Sequence, residues 1–376
     1  MPIVLVLLLS SAVFISMKGC RVLMTLFAVE MGAGPFETGL LFALYGLVPF
    51  VLVVYAGRIA DRFDNRVLML WGLAGFVASL LLPYAFPVLT TLFLFAALTG
   101  FTTMLFVVAT QNLVGLLSTA ETRTRHFSYY SVGESCANVA GPVLVGLSID
   151  AFRHPLTFLL LAAFTLICLL VLAAKRGMIP PAARAEDKPG PRTMGDLLRL
   201  PAMRNALLTN GAVMAGIDLF VLYMPVYGHG LGFSATVIGM ILGAFGLSAL
   251  LIRLVLPRLT ARWGERSVLA VALALSAAAF VTFPLTQSAL LLGTAAFVLG
   301  LGLGCGQPLS MLLAFNAAPK GRSAEGIAMR LAVSYGAHVV VPPLFGMLGA
   351  ATGLGPVFWT CSVLLAGGSF INRRRN

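Results

Sequence analysis

Gly57-Arg58-Ile59-Ala60-Asp61-Arg62-Phe63-Asp64-Asn65-Arg66 is a charged decapeptide set between two long apolar runs, residues 38–56 and 67–82. Runs approaching about 20 apolar residues cross a hydrocarbon layer as helices. A connection this short between two spans makes a hairpin, so its charges lie at a membrane surface. The rest of the chain has the same character. Its 376 residues are 59% hydrophobic and only 10% charged, with a mean hydropathy of +0.98. Such a composition describes a polytopic membrane protein, not a soluble domain. Backbone polar groups in hydrocarbon must be satisfied within their own segment, so the spans read as helices.

Working outward from the hairpin, the apolar runs predict twelve spans, at about 3–30, 37–56, 67–86, 89–117, 127–149, 156–174, 204–228, 235–256, 267–284, 289–314, 327–350 and 355–372. The first run has no basic segment before it, its first charge being Lys18. It reads as the start of a span, not as a signal peptide. Residues 175–203 form the only long polar segment, rich in Pro, Arg and acidic residues, and read as a cytoplasmic linker. They divide the chain into six-helix halves, 1–174 and 204–376.

The net charge of +12 raises the question of a nucleic-acid partner. Its distribution answers it. With the N-terminus inside, 20 of the 25 basic residues fall on inner loops, the linker and the C-terminal tail, and one, Arg153, falls outside. The positive-inside rule accounts for the excess, with no nucleic acid needed. Both termini are then cytoplasmic. The five cysteines lie within apolar runs without metal-ligand spacing, so no metal, cofactor or disulfide framework is expected.

A repeat runs through the chain at a constant shift of 200 residues. Gly32, Gly39 and Gly46 map to Gly232, Gly239 and Gly246, and Arg58, Arg62 and Arg66 map to Arg258, Arg262 and Arg266. Gly100 maps to Gly300, Pro142 to Pro342, and Gly146 to Gly346. Six spans per half make the repeats parallel.

The hairpin, read as Gly-x-x-x-Asp-Arg-x-x-x-Arg, resembles the loop between the second and third helices of the major facilitator superfamily (MFS). Gly57, Asp61, Arg62 and Arg66 match that motif; Asp64 stands where the family usually has Gly, and Val67 replaces the last basic residue. The resemblance implies an all-α fold of 12 transmembrane helices in two parallel six-helix repeats, with a substrate site between the halves. It also implies that Asp61 meets the positive start of span eleven, near Arg330, and so latches one state of the transport cycle. The counterpart of Asp61 is Ala261, so this latch is one-sided. Arg62 and Arg66 support it or serve as topology determinants.

Charged groups inside spans cost a few kcal/mol on insertion scales, so they mark cavities or partners. Lys18, Arg21 and Thr25 share a stripe of roughly 80° on span one. Asp218 is the repeat equivalent of Lys18, and a Lys18–Asp218 pair is the leading expectation for a binding or coupling centre; a static ion pair is the bland alternative. Tyr130, Glu134 and Asn138 recur every four residues on span five and map to Arg330, Ser334 and His338. Glu134 and Asp218 are the proton-coupling candidates, and His338 titrates in a useful range. Against this, Glu134 has Arg253 as a structural partner on offer, and Arg330 has the option of snorkelling. Glu30, at the end of span one, reads as solvated. Thr103 and Gln111 of span four and Gln307 of span ten are polar cavity candidates, or else interhelical hydrogen-bonding groups. Gly141-Pro142 reads as a hinge in span five.

The pattern is closest to the drug and metabolite efflux branch of the family, and only in part. Span four lacks the basic residue those exporters often carry, and the span-five signature keeps Gly141-Pro142 and Gly146 only. A secondary active transporter of a small organic molecule, proton-coupled and exporting, is the expected function. Uptake of an organic anion is the alternative within that class, since Lys18 and Arg21 favour an anion. A non-transporting receptor or assembly factor is the alternative outside it. No nucleotide-binding or nucleophile motif supports an enzyme or an ATP-driven pump. Because two halves make a whole site in one chain, a monomer is expected, in a bacterial-type cytoplasmic (inner) membrane, with the lipid bilayer, substrate and protons as its partners.

Overall fold

A computed structural model of the chain describes residues 2–62, 64–119, 121–175, 198–317 and 323–373, with the backbone alone at 2, 52–62, 123–124, 315–316 and 323–328. The described residues are helical, without a strand. In chain order the helices are α1 (Pro2–Glu30), α2 (Pro35–Arg62), α3 (Asn65–Ala85) and α4 (Leu89–Leu116). The next segment, Arg123–Ala174, has one non-helical residue, Arg153, at φ 64° and ψ 169°. Its two limbs, 123–152 and 154–174, are α5 and α6. Then follow α7 (Pro201–Gly230), α8 (Ala235–Trp263), α9 (Glu265–Thr282), α10 (Ala289–Ala317), α11 (Ser323–Thr352) and α12 (Leu354–Arg373).

Among the described residues ten helices are long and apolar enough to cross a membrane. The expected number is twelve. The broken segment Arg125–Ala174 enters that ten once, at 50 residues, and Pro35–Val51 stands apart as a shorter apolar helix. The break at Arg153 falls between the expected fifth and sixth spans, and Gly141 and Pro142 keep helical dihedrals within α5. Residues 176–197 of the linker lie outside the described residues, as do the side chains of Asp61 and Arg62; Gly57 is described by its backbone. Asp64, the departure from the family loop, acts locally. Its carboxylate accepts from Arg66 N at 3.0 Å and caps the start of α3.

The chain forms two compact units. Unit 1 holds residues 1–33, 44–187 and 234–243; unit 2 holds 34–43, 188–233 and 244–376. The two short exchanged segments are themselves repeat equivalents, since 34–43 shifted by 200 is 234–243. Lipid-solvated helices gain little from apolar burial against one another, so close packing by small residues fixes their contacts. The packing repeats with the sequence. A Cβ on Gly100 of α4 would stand 2.2 Å from Tyr45 O of α2, and one on Gly300 of α10 would stand 2.3 Å from Phe245 O of α8. Gly32 and Gly232 end α1 and α7 with the same cap, at φ 83° and 78°. Ala33 N reaches back to Ala28 O (2.9 Å), and Phe233 N to Gly228 O (3.0 Å). A left-handed position of this kind is one that Gly takes without a Cβ penalty.

These contacts separate two glycines of one helix. Gly300→Ala drives a methyl into Phe245 O and Ser248 Oγ, whereas a Cβ on Gly293 meets nothing within 4 Å. Thermal unfolding in detergent should show Gly300→Ala less stable by about 1–3 kcal/mol. Gly293→Ala should be neutral or slightly stabilised. Equal behaviour of the two variants would contradict the packing described.

Candidate functional site

In unit 1 the polar centre is built on α1 and α5. Gly141 lies 2.8 Å, measured from its ideal Cβ, from Gly19 N, which draws the two backbones together and lets α1 side chains reach α5. Lys18 Nζ donates to Glu134 Oε1 at 3.1 Å. Their side chains keep 24% and 45% of their exposure, so the pair is partly solvated and worth on the order of 1 kcal/mol. One turn on, the Arg21 guanidinium lies 4.4 Å from the ring centroid of Tyr45, a cation–π contact. Asn138 follows Glu134 on α5 and is half-buried, while Tyr130 is buried edge-on to Phe14 at 5.2 Å.

In unit 2 two four-residue ladders face each other, Asn210, Met214 and Asp218 on α7 and Arg330, Ser334 and His338 on α11. Spacing of four keeps each set on one helix face. His338 Nδ1 bonds Asp218 Oδ2. The Asp218 side chain is 2% exposed and that of His338 23%, so the carboxylate is sealed and the imidazole is the more exposed member of the pair. Two turns away Asn210, fully buried, gathers four groups: its Oδ1 accepts from Arg330 Nη1 (3.0 Å) and Ser310 Oγ (3.1 Å), and its Nδ2 donates to Ser334 Oγ (2.9 Å) and Arg330 O (3.2 Å). Gln307 of α10 accepts from Arg253 Nη2 of α8 at 3.1 Å and turns its amide toward Met214 Sδ at 3.9 Å.

This arrangement revises several expectations. Lys18 and Asp218, expected as partners, each have a partner within their own unit, Glu134 on α5 and His338 on α11 respectively. Arg330 turns to α7 instead of snorkelling, because Asn210 offers it a buried acceptor. Thr103 and Thr25 are buried, and their hydroxyls bond the carbonyls of Thr99 (2.6 Å) and Arg21 (3.0 Å) in their own helices, so neither is a cavity group. Gln111 is exposed near the end of α4. Glu30 is exposed at the end of α1, as expected, and also meets His154 Nδ1 at 2.5 Å. Asn210 and Tyr45 are absent from the sequence-based candidates; the four-residue spacing of Asn210 to Asp218 was the available signal for the first.

Breaking a buried, hydrogen-bonded network costs more than losing a half-solvated pair. Asn210→Leu should therefore lower unfolding stability by about 2–4 kcal/mol. Gln111→Leu should stay within about 0.5 kcal/mol of the parent. Denaturation followed by tryptophan fluorescence checks both; an unaffected Asn210→Leu would show that the network is not formed.

A long helical chain with charged pairs fixed inside apolar helices, built from two sequence repeats, defines a polytopic protein of the transporter type. The Major Facilitator Superfamily model matches residues 6–335 and 207–374. The efflux pump azaK of Aspergillus niger is 27% identical over 363 residues, covering 88% of this chain and 77% of that protein. The multidrug resistance protein MdtG of Citrobacter koseri is 26% identical over 289 residues, covering 74% and 70%. Among solved structures, a peptide transporter POT in complex with sulfate superposes with a TM-score of 0.84 at 15% identity, over 99% of this chain and 93% of that one. The chain belongs to the major facilitator superfamily. It is a multi-pass membrane protein of a family that carries small molecules across membranes.

Proposed function

We propose that this protein is a secondary active transporter that exports a small organic molecule in exchange for protons. The Asp218–His338 pair carries the reading. With the imidazole neutral the pair has formal charge −1; one added proton makes it neutral. An uncompensated charge at 2% exposure is expensive in a protein interior. The two charge states therefore differ strongly in what they tolerate nearby. The anionic pair favours a neutral or cationic amphiphile, and the protonated pair releases it. Competition of substrate and proton for one buried pair is the thermodynamic basis of antiport. Glu134 is a weaker carrier, because Lys18 already compensates it. The names of the two relatives, an efflux pump and a multidrug resistance protein, favour the outward direction. The basic residues of the loops and tail favour cytoplasmic termini in a bacterial inner membrane, and the paired sites within each chain favour a monomer.

An uptake symporter for an organic anion remains the second reading, on the strength of Lys18 and Arg21. Reconstituted liposomes with an internal pH dye, challenged with pooled amphiphilic cations and organic anions, separate the two. Proton movement opposite to an added cation is the expected result; movement in the same direction as an anion supports uptake. Asp218→Asn should abolish substrate-coupled proton movement while preserving exchange of labelled for unlabelled compound. Glu134→Gln should retain the coupling. Persistent proton coupling in Asp218→Asn would remove the assignment.

A further inference from the structure

Within unit 1, α5 carries Asp150 one turn beyond Gly146. Its two carboxylate oxygens accept from the first N–H groups of α8: Ala235 N to Oδ1 at 3.1 Å and Thr236 N to Oδ2 at 2.8 Å. The first N–H groups of a helix have no intrahelical acceptor. The residue just before the helix normally supplies one. Here the Ser234 hydroxyl takes Val237 N at 3.3 Å and its carbonyl takes Ile238 N at 3.1 Å. The acceptors for Ala235 N and Thr236 N come from Asp150, 85 residues before Ala235 in the chain. A carboxylate in this position also meets the positive end of the helix dipole.

Beneath this cap the two backbones touch. A Cβ on Gly146 would stand 2.4 Å from Ala235 O, and one on Gly239 would stand 2.5 Å from Pro142 O. Unit 2 repeats the same glycine contacts between α2 and α11, with Gly346 at 2.7 Å from Pro35 O and Gly39 at 2.5 Å from Pro342 O. It closes them differently. Position 350 is Ala, and Tyr223 of α7 donates instead to Pro342 O at 2.7 Å. The equivalent of Tyr223 in the first half is Leu23. The α5–α8 junction is thus the one closed by a charge.

We propose that Asp150 is a positioning residue for transport: an ionic latch that seats the start of α8 on α5 and has to let go whenever the outer end opens. The inference rests on the transporter reading, since a static protein has no such step. Because the latch grips backbone N–H groups, it holds α8 without requiring any particular α8 side chain. Glycine contacts set the closed spacing, and the carboxylate sets how long the junction stays closed. Its placement complements Asp61, which the loop motif assigns to the opposite end of the first half.

The test reads the junction directly, with no substrate and no gradient. Spin labels replace the exposed Phe152 and Met240 in protein held in lipid nanodiscs, with Cys136 changed to Ser, and their distance distribution is measured. Asp150→Ala should raise the longer-distance population about tenfold, and Asp150→Asn, which keeps one acceptor oxygen, about threefold. Glu30→Gln, at the same end of unit 1, should leave the distribution as in the parent. A merely structural cap would lower the melting temperature and leave the distances unchanged. That outcome, in Asp150→Ala or, if it does not fold, in Asp150→Asn, overturns the proposal. Failure of proton coupling in the liposome assay leaves this readout untouched, so the two ideas fail separately.

Discussion

An ionised group inside hydrocarbon must have a partner, and the architecture of this protein follows from meeting that demand within each unit. Asp218 is almost completely sealed, and His338 is the group that meets it. Lys18 and Glu134 answer each other in the same way on α1 and α5. Leaving the sealed Asp218 without its partner would cost about 3–5 kcal/mol. The half-solvated Lys18–Glu134 pair contributes on the order of 1 kcal/mol. Helices α1 with α5, and α7 with α11, are therefore held together by chemistry as well as by packing. The two pairs differ in one respect that matters for function. Lys18–Glu134 joins a cation to an anion and stays partly solvated, whereas Asp218 is sealed against the imidazole of His338.

The 200-residue repeat explains why these pairs occupy related places without being copies. The glycine contacts are duplicated nearly atom for atom: Gly100 on Tyr45 and Gly300 on Phe245, Gly239 on Pro142 and Gly39 on Pro342. Backbone approach is a property of the fold, and both halves need it. The polar side chains have diverged. Position 18 is Lys and 218 is Asp; 134 is Glu and 334 is Ser; 138 is Asn and 338 is His. Divergence on a duplicated scaffold gives one molecule two different charged pairs, Lys18–Glu134 and Asp218–His338.

The helical architecture was legible because it rests on composition and period. Long apolar runs, a charged hairpin and a constant shift of 200 residues suffice for it. Asp218, His338, Glu134 and Lys18 were also legible, as charges where charges are costly. Which of them touch was not. Lys18 and Asp218 are repeat equivalents, and equivalence says nothing about contact; the partners come from α5 and α11, whose approach depends on Gly19, Gly141 and their neighbours. Thr103 looked like a cavity group because a hydroxyl bonding its own helix leaves no trace in spacing. The role of Asn210 depends on three helices meeting at one amide. Asp150 was hidden for the same reason, since its acceptors face backbone N–H groups that every sequence contains.

The central claim is that the Asp218–His338 pair exchanges a proton for substrate. The most direct measurement is the pH of purified protein in weakly buffered detergent solution as a compound shown to bind is added. The account predicts proton release on binding by the parent protein and none by Asp218→Asn. Binding without any pH change in the parent, or unchanged release in Asp218→Asn, would contradict it.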